Sequence, residues 1–144
     1  MLRDAPHFLG CFSSDNIQHI KVKNYPVTII VNIAESSIVH GHWLSIRLTE
    51  QSIEIFDSLG CSPEQWGHYP KNLITFLNHF SYSHSFKTSP VLQPTISHAC
   101  GLYCVFFILF RKKFTFRQLI TKFSVDKDQN DLILYNNLLN NTLD

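Results

Sequence analysis

Ten consecutive residues, Gly101–Phe110 (GLYCVFFILF), carry no charge. A segment apolar all round has to be buried on every side. It is about half the ~20 residues that a bilayer span requires, so it predicts a core helix rather than a membrane helix. The helix is expected to open at Cys100 and run to about Arg111, where Arg111, Lys112 and Lys113 suit a helix C-terminus. With 144 residues, 44% of them hydrophobic, and twelve phenylalanines, the chain can surround such a helix with one core, so a single domain over 1–144 is expected.

The remaining elements are those that such a helix can pack against. Val27–Ile33 (VTIIVNI) is β-branched and reads as a buried strand. His42–Leu48 and Ser52–Phe56 alternate with period two across the spacer Thr49–Gln51, which predicts a hairpin. Gly60 and Pro63 break the chain after it. Leu73, Phe76, Leu77 and Phe80 give Lys71–Phe80 helical spacing. Phe86–Leu92 reads as a short extended piece ending before Pro94. Phe114–Phe123 is expected to be a helix with Thr115 as a candidate cap, and Asp128–Leu139 a polar, peripheral one. The fold class is α+β: a small antiparallel or mixed sheet against a central helix with Cys100 at its N-terminus.

A cysteine in that position has distinctive chemistry. Free backbone N–H groups and the positive end of the helix dipole stabilise a thiolate. The same N–H groups can receive a developing oxyanion. Gly101 allows a substrate to approach that turn closely. A thiol nucleophile also needs a base, and the base needs an orienting group. His42 opens one strand of the hairpin and Asp57 ends its partner, so antiparallel pairing brings the two together. Gln93, in the loop leading to Cys100, offers an amide that donates without titrating, which suits an oxyanion hole. The bland alternatives are a buried helical cysteine, a strand histidine, a turn aspartate and a loop glutamine.

His42-Trp43, then Asp57-x-x-Gly60, then Gln93-x6-Cys100-Gly101 is a specific series when all parts occur in order. With HFLGCF at 7–12, TIIVNIAESSIVHGHW at 28–43, IEIFDSLG at 53–60 and QPTISHACGLYCVFF at 93–107, the chain resembles the adenovirus-type cysteine proteases, or adenains, of the SUMO-protease-like clan. The resemblance runs over roughly residues 7–110. It implies a thiol endopeptidase with His42 as base, Asp57 as its orienter, Cys100 as nucleophile and Gln93 as oxyanion donor. It implies that Trp43 flanks the base and lines a narrow cleft that admits small residues, glycine above all, before the cut. Ala99-Cys100-Gly101 is the adenain form, where SUMO proteases show Asp-Cys-Gly. Asp57 departs from the glutamate usual in adenains and matches the clan's cellular members.

The resemblance also implies partners. The substrate is expected to be a polypeptide, a capsid or core precursor of a virus or virus-like element, and the enzyme a monomer inside the host cell or the virion. An adenain is activated by a peptide, which can bond to a cysteine equivalent to Cys104, and by DNA. This chain is shorter than an adenain at both ends, where part of that surface lies, and its own residues call for no cofactor. Cys104 is otherwise a core residue.

Other classes are less well supported by the residues. A formal net charge of +1 gives no general attraction to nucleic acid or to membranes. Arg111, Lys112, Lys113 and Arg117 read as a solvated helix end rather than a nucleic-acid patch. His40, His42, Cys61 and His68 match no common zinc spacing, and no CxxC occurs, so no metal is expected. The four cysteines form no disulfide-dense pattern, and MLRDAPHF lacks the apolar core of a signal peptide, so reduced thiols and a non-secreted protein are expected. Two rivals remain: a protease that processes SUMO or ubiquitin-like proteins, and an inactive binding module of the same fold.

Overall fold

A computed structural model of the chain describes residues 2, 5, 7–37, 41–60, 67–80 and 84–141. Five strands, β1 (Phe8–Ser13), β2 (Val27–Asn32), β3 (Trp43–Leu48), β4 (Ser52–Phe56) and β5 (Ser85–Thr88), lie side by side in that order. The sheet is mixed: β2–β3 and β3–β4 pair antiparallel, while β1–β2 and β4–β5 pair parallel. The helices are α1 (Lys71–Phe80), α2 (Cys100–Phe110), α3 (Phe116–Ile120) and α4 (Asn130–Asn141).

Alternation along the strands divides the core in two. Ile29 and Val31 of β2, Leu44, Ile46 and Leu48 of β3, and Ile53 and Ile55 of β4 pack with the apolar stripe of α1. Ile30 and Phe56 point the other way, into a cluster with α2, Phe116, Leu119 and Leu134. The sheet is thus covered on both faces, which is why β2 is buried at every position. Phe56 stacks on Phe107 with ring centroids 4.9 Å apart and meets Phe116 edge-on, an arrangement that aromatic quadrupoles favour. Cys100 therefore stands at the lip of a helix fixed by its own apolar surface.

One charged cluster sits on the α2 face. Glu54, with its side chain 1% exposed, takes a two-pronged bond from Arg111 at 2.7 and 2.8 Å, and Arg47 lies 3.7 Å away. Arg111 also donates to Phe114 O at 3.0 Å and so closes the end of α2. Removing the carboxylate strands the guanidinium groups that it neutralises. Glu54→Ala is expected to cost about 3 kcal/mol of stability, read as a lowered denaturant midpoint, and a loss below ~1 kcal/mol would show the cluster to be idle.

Lys71–Phe80 and Ser52–Phe56 coincide with the helix and strand read from the sequence. Phe114–Phe123 contracts to α3, because Thr115 and Gln118 form a reciprocal capping box that starts the helix late. Phe123 lies beyond its end and packs against Phe106 instead. The final helix starts at Asn130, after a 3₁₀ turn over Lys127–Gln129, and is less peripheral than its polarity suggests. Asn130 is fully buried and donates to Leu92 O at 2.9 Å, tying α4 to the loop that carries Gln93. Phe8–Ser13 is a strand that the pattern did not reveal, and its parallel bonding to β2 comes from a distant segment.

Candidate active site

The hairpin register places the histidine and the aspartate. Ser45 lies opposite Phe56, so the residues that precede β3 and follow β4 converge at one end. Gly41 permits this entry: a β-carbon there would overlap the Asn32 side chain and crowd Ala34. His42 Nε2 meets Asp57 Oδ1 at 2.6 Å. That carboxylate, 2% exposed, also accepts from the Leu59 N–H at 3.0 Å and from the Tyr69 hydroxyl at 2.7 Å. Its backbone is pinned by Ser89, whose hydroxyl accepts from Asp57 N at 2.8 Å and donates to Asp57 O at 2.6 Å. A carboxylate bound this fully can turn only one way, and it holds the imidazole in place.

With Nε2 on Asp57, Nδ1 is the ring nitrogen left to face Cys100, whose thiol interacts with His42. The backbone N–H groups of Trp43 and Gly101 also favour the thiolate. The His42 bond lowers the Cys100 pKa against the opposing effect of burial. Burial works against charge on His42, but its bonds to Asp57 and Cys100 outweigh that and raise its pKa to about 9. Both shifts favour the thiolate–imidazolium form of the pair.

The first turn of α2 is open to a ligand. No side chain caps it, with Ala99 at the N-cap; Leu102 N–H already donates to Ala99 O at 2.8 Å, which leaves the N–H of Cys100 as the donor that a ligand can use. A β-carbon on Gly101 would meet nothing within 4 Å. Gln93, 3% exposed, comes down beside this segment with its amide held at both ends. Nε2 donates to Ser97 O at 2.7 Å, and Oε1 accepts from the Ser58 hydroxyl at 2.6 Å. Trp43 is half-buried and packs on the α2 cluster. On the other side of His42, a surface pocket of about 340 Å³ is bounded by Ile33, Leu59, Gly60, Tyr69 and Val91. A larger cavity of about 460 Å³, lined by Ile20, Val22, Tyr25, Phe76 and Phe80, touches none of these residues and carries no chemistry of this kind.

Of the residues expected to form the site, His42 and Asp57 are hydrogen-bonded, and Cys100 interacts with His42. Cys104 is one turn beyond Cys100 and fully buried, and burial pushes its thiol pKa well up, which fits packing better than redox exchange. Among the described residues no group of three His, Cys, Asp or Glu side chains could hold a metal; His40 and Cys61 lie outside them. No helix among them is long and apolar enough to cross a membrane. Tyr69, Ser89 and Ser58 join the site without a signature in the sequence. Tyr69 and Ser89 lie in loops whose sequence has no period, whereas Ser58 could have been suspected from its place beside Asp57.

A mixed sheet that sets a His–Asp pair against a cysteine at the head of a buried helix has the form of a cysteine protease. A crystal structure of the ASFV protease, in selenomethionine form, shares the fold with a TM-score of 0.55 at 18% identity, covering 92% of this chain and 61% of that one. The chain thus spans less than two thirds of that protease's length. The family model for the adenovirus endoprotease matches residues 8–129, and the chain belongs to that family of cysteine endopeptidases. No curated protein sequence matches it significantly.

Proposed function

We propose that the chain cleaves polypeptide precursors of a virus or virus-like element after small residues, with Cys100, His42 and Asp57 as its triad and Gln93 in its oxyanion hole. The observation that carries this reading is the imidazole of His42 held between the Asp57 carboxylate and the Cys100 thiol at an uncapped helix start. Cys100 Sγ⁻ attacks the scissile carbonyl carbon, and the C=O electron pair moves to oxygen. Gln93 Nε2–H and the backbone N–H at Cys100 hold that oxyanion. As the intermediate collapses, the C–N bond breaks and the His42 imidazolium gives its proton to the departing amine. Neutral His42 then takes a proton from water, whose hydroxide attacks the thioester. The acid product leaves, and the thiolate and imidazolium are restored. Asp57 keeps the ring oriented throughout and does not itself take the proton.

Trp43 and the open front of Gly101 frame the approach to the sulfur, which suits glycine in the acyl part of the substrate. In this reading the enzyme is a monomer of the infected cell or the virion.

The test is the pH profile of hydrolysis of a Gly-Gly-x peptide, with a folded SUMO-tailed protein as a second substrate. Cys100 must lose its proton and His42 must keep its own, so the rate rises from acid pH and falls again near pH 9, the value to which His42 is raised. The two apparent values belong to the coupled pair. A rate that instead rises through pH 6.5, the ordinary histidine value, and stays high at pH 10 would sink the ion pair. Cleavage of the folded substrate alone would favour the SUMO-processing rival. Absence of hydrolysis and of selective Cys100 labelling would favour the binding module.

A further inference from the structure

The turn after β4 reaches both halves of the proposed machinery. Asp57 faces His42, and the next residue, Ser58, faces Gln93. Ser58 is 1% exposed and makes three bonds to the glutamine loop. Its carbonyl accepts the N–H groups of Leu92 and Gln93, each at 2.8 Å, and its hydroxyl donates to Gln93 Oε1 at 2.6 Å.

The polarity of these bonds is informative. A carbonyl oxygen only accepts, so the amide end on Ser97 O has to be the NH₂ group. The end at Ser58 is then the amide oxygen, and the serine hydroxyl has to be the donor. One Nε2 hydrogen is used on Ser97, and among the described residues the second has no protein partner. An amide turned over would present Oε1, an acceptor, to a developing negative oxygen and repel it. We infer that Ser58 is a positioning residue: its hydroxyl locks the Gln93 amide with a nitrogen, not an oxygen, facing the oxyanion. The inference rests on the reading of Gln93 as oxyanion donor.

Ser58→Ala removes the hydroxyl and leaves the backbone bonds to Leu92 and Gln93, so the loop stays anchored. It is expected to lower kcat by roughly 10- to 100-fold with KM within about threefold, short of the 10²–10³ lost with an oxyanion donor itself. Gln93→Ala is expected to lose that full factor, and Ser58→Ala with Gln93→Ala to lose no more, because the hydroxyl acts only through the amide. Alkylation of Cys100 by iodoacetamide forms no oxyanion, so its rate and pH profile should match the wild type in Ser58→Ala. Ser58→Thr, which keeps the hydroxyl, should recover at least part of the rate.

A wild-type kcat in Ser58→Ala, with Gln93→Ala impaired, would overturn the inference and leave the reading of Gln93 intact. So would a parallel fall in alkylation, since the damage would then lie in the ion pair through neighbouring Asp57. A wild-type rate in Gln93→Ala would remove the glutamine from the mechanism, and the role of Ser58 with it.

Discussion

Cys100→Ala is expected to abolish peptide hydrolysis, with kcat down on the order of 10⁶, while the chain keeps its fold. The size follows because, among the described residues, Cys100 is the thiol that interacts with His42. Cys104 is fully buried, and its thiol pKa is raised by burial. Cys11 is exposed on β1 at the sheet edge, and partial desolvation raises its thiol pKa. The fold should persist because Cys100 is half-buried and contributes little to the cluster that fixes α2. The change should therefore stay within about 1 kcal/mol. Activity, the melting curve and iodoacetamide labelling, run together, check this. Retention of more than about a hundredth of the wild-type rate would place the attacking group elsewhere.

His42→Ala is expected to cost nearly as much, on the order of 10⁵–10⁶ in kcat for an amide substrate. Three functions go at once. The His42 bond is the largest cause of the lowered Cys100 pKa, so the thiolate fraction falls. The leaving amine loses its proton donor, and the water that clears the thioester loses its base. These losses can be separated with an activated ester, whose leaving group departs without a proton, and which should therefore suffer less than the amide. Asp57→Asn should be milder than either, because that carboxylate orients the ring. Equal losses on ester and amide would show that His42 serves only to ionise the thiol.

The core elements and the meeting of His42 with Asp57 were legible in the sequence because they rest on strong, short-range signals. Leu73, Phe76, Leu77 and Phe80 hold a helical period, and Ser52–Phe56 is bounded by a hairpin spacer. That hairpin brings His42 to Asp57. What remained hidden depends on long-range pairing or on single hydrogen bonds. The parallel pairing of β1 to β2 has no local turn to announce it, and Gly10, at a φ of 143°, interrupts its register. Tyr69 reaches Asp57 from a loop without periodicity. Asn130 looked like a polar helix residue, yet it is fully buried and bonded to Leu92. Polar residues that satisfy loops carry no pattern, since each answers to one geometry rather than to a repeating face.

The base and its carboxylate share one hairpin, but the sulfur comes from a helix far along the chain that docks on the opposite face of the sheet from α1. Short-range pairs close before distant ones. During synthesis the hairpin can therefore form while residue 100 is still an ordinary, sluggish thiol. Only the arrival of α2 completes the hydrogen bond that sharpens it. The lowered pKa of Cys100 is thus a property of the completed fold and not of the local sequence around it.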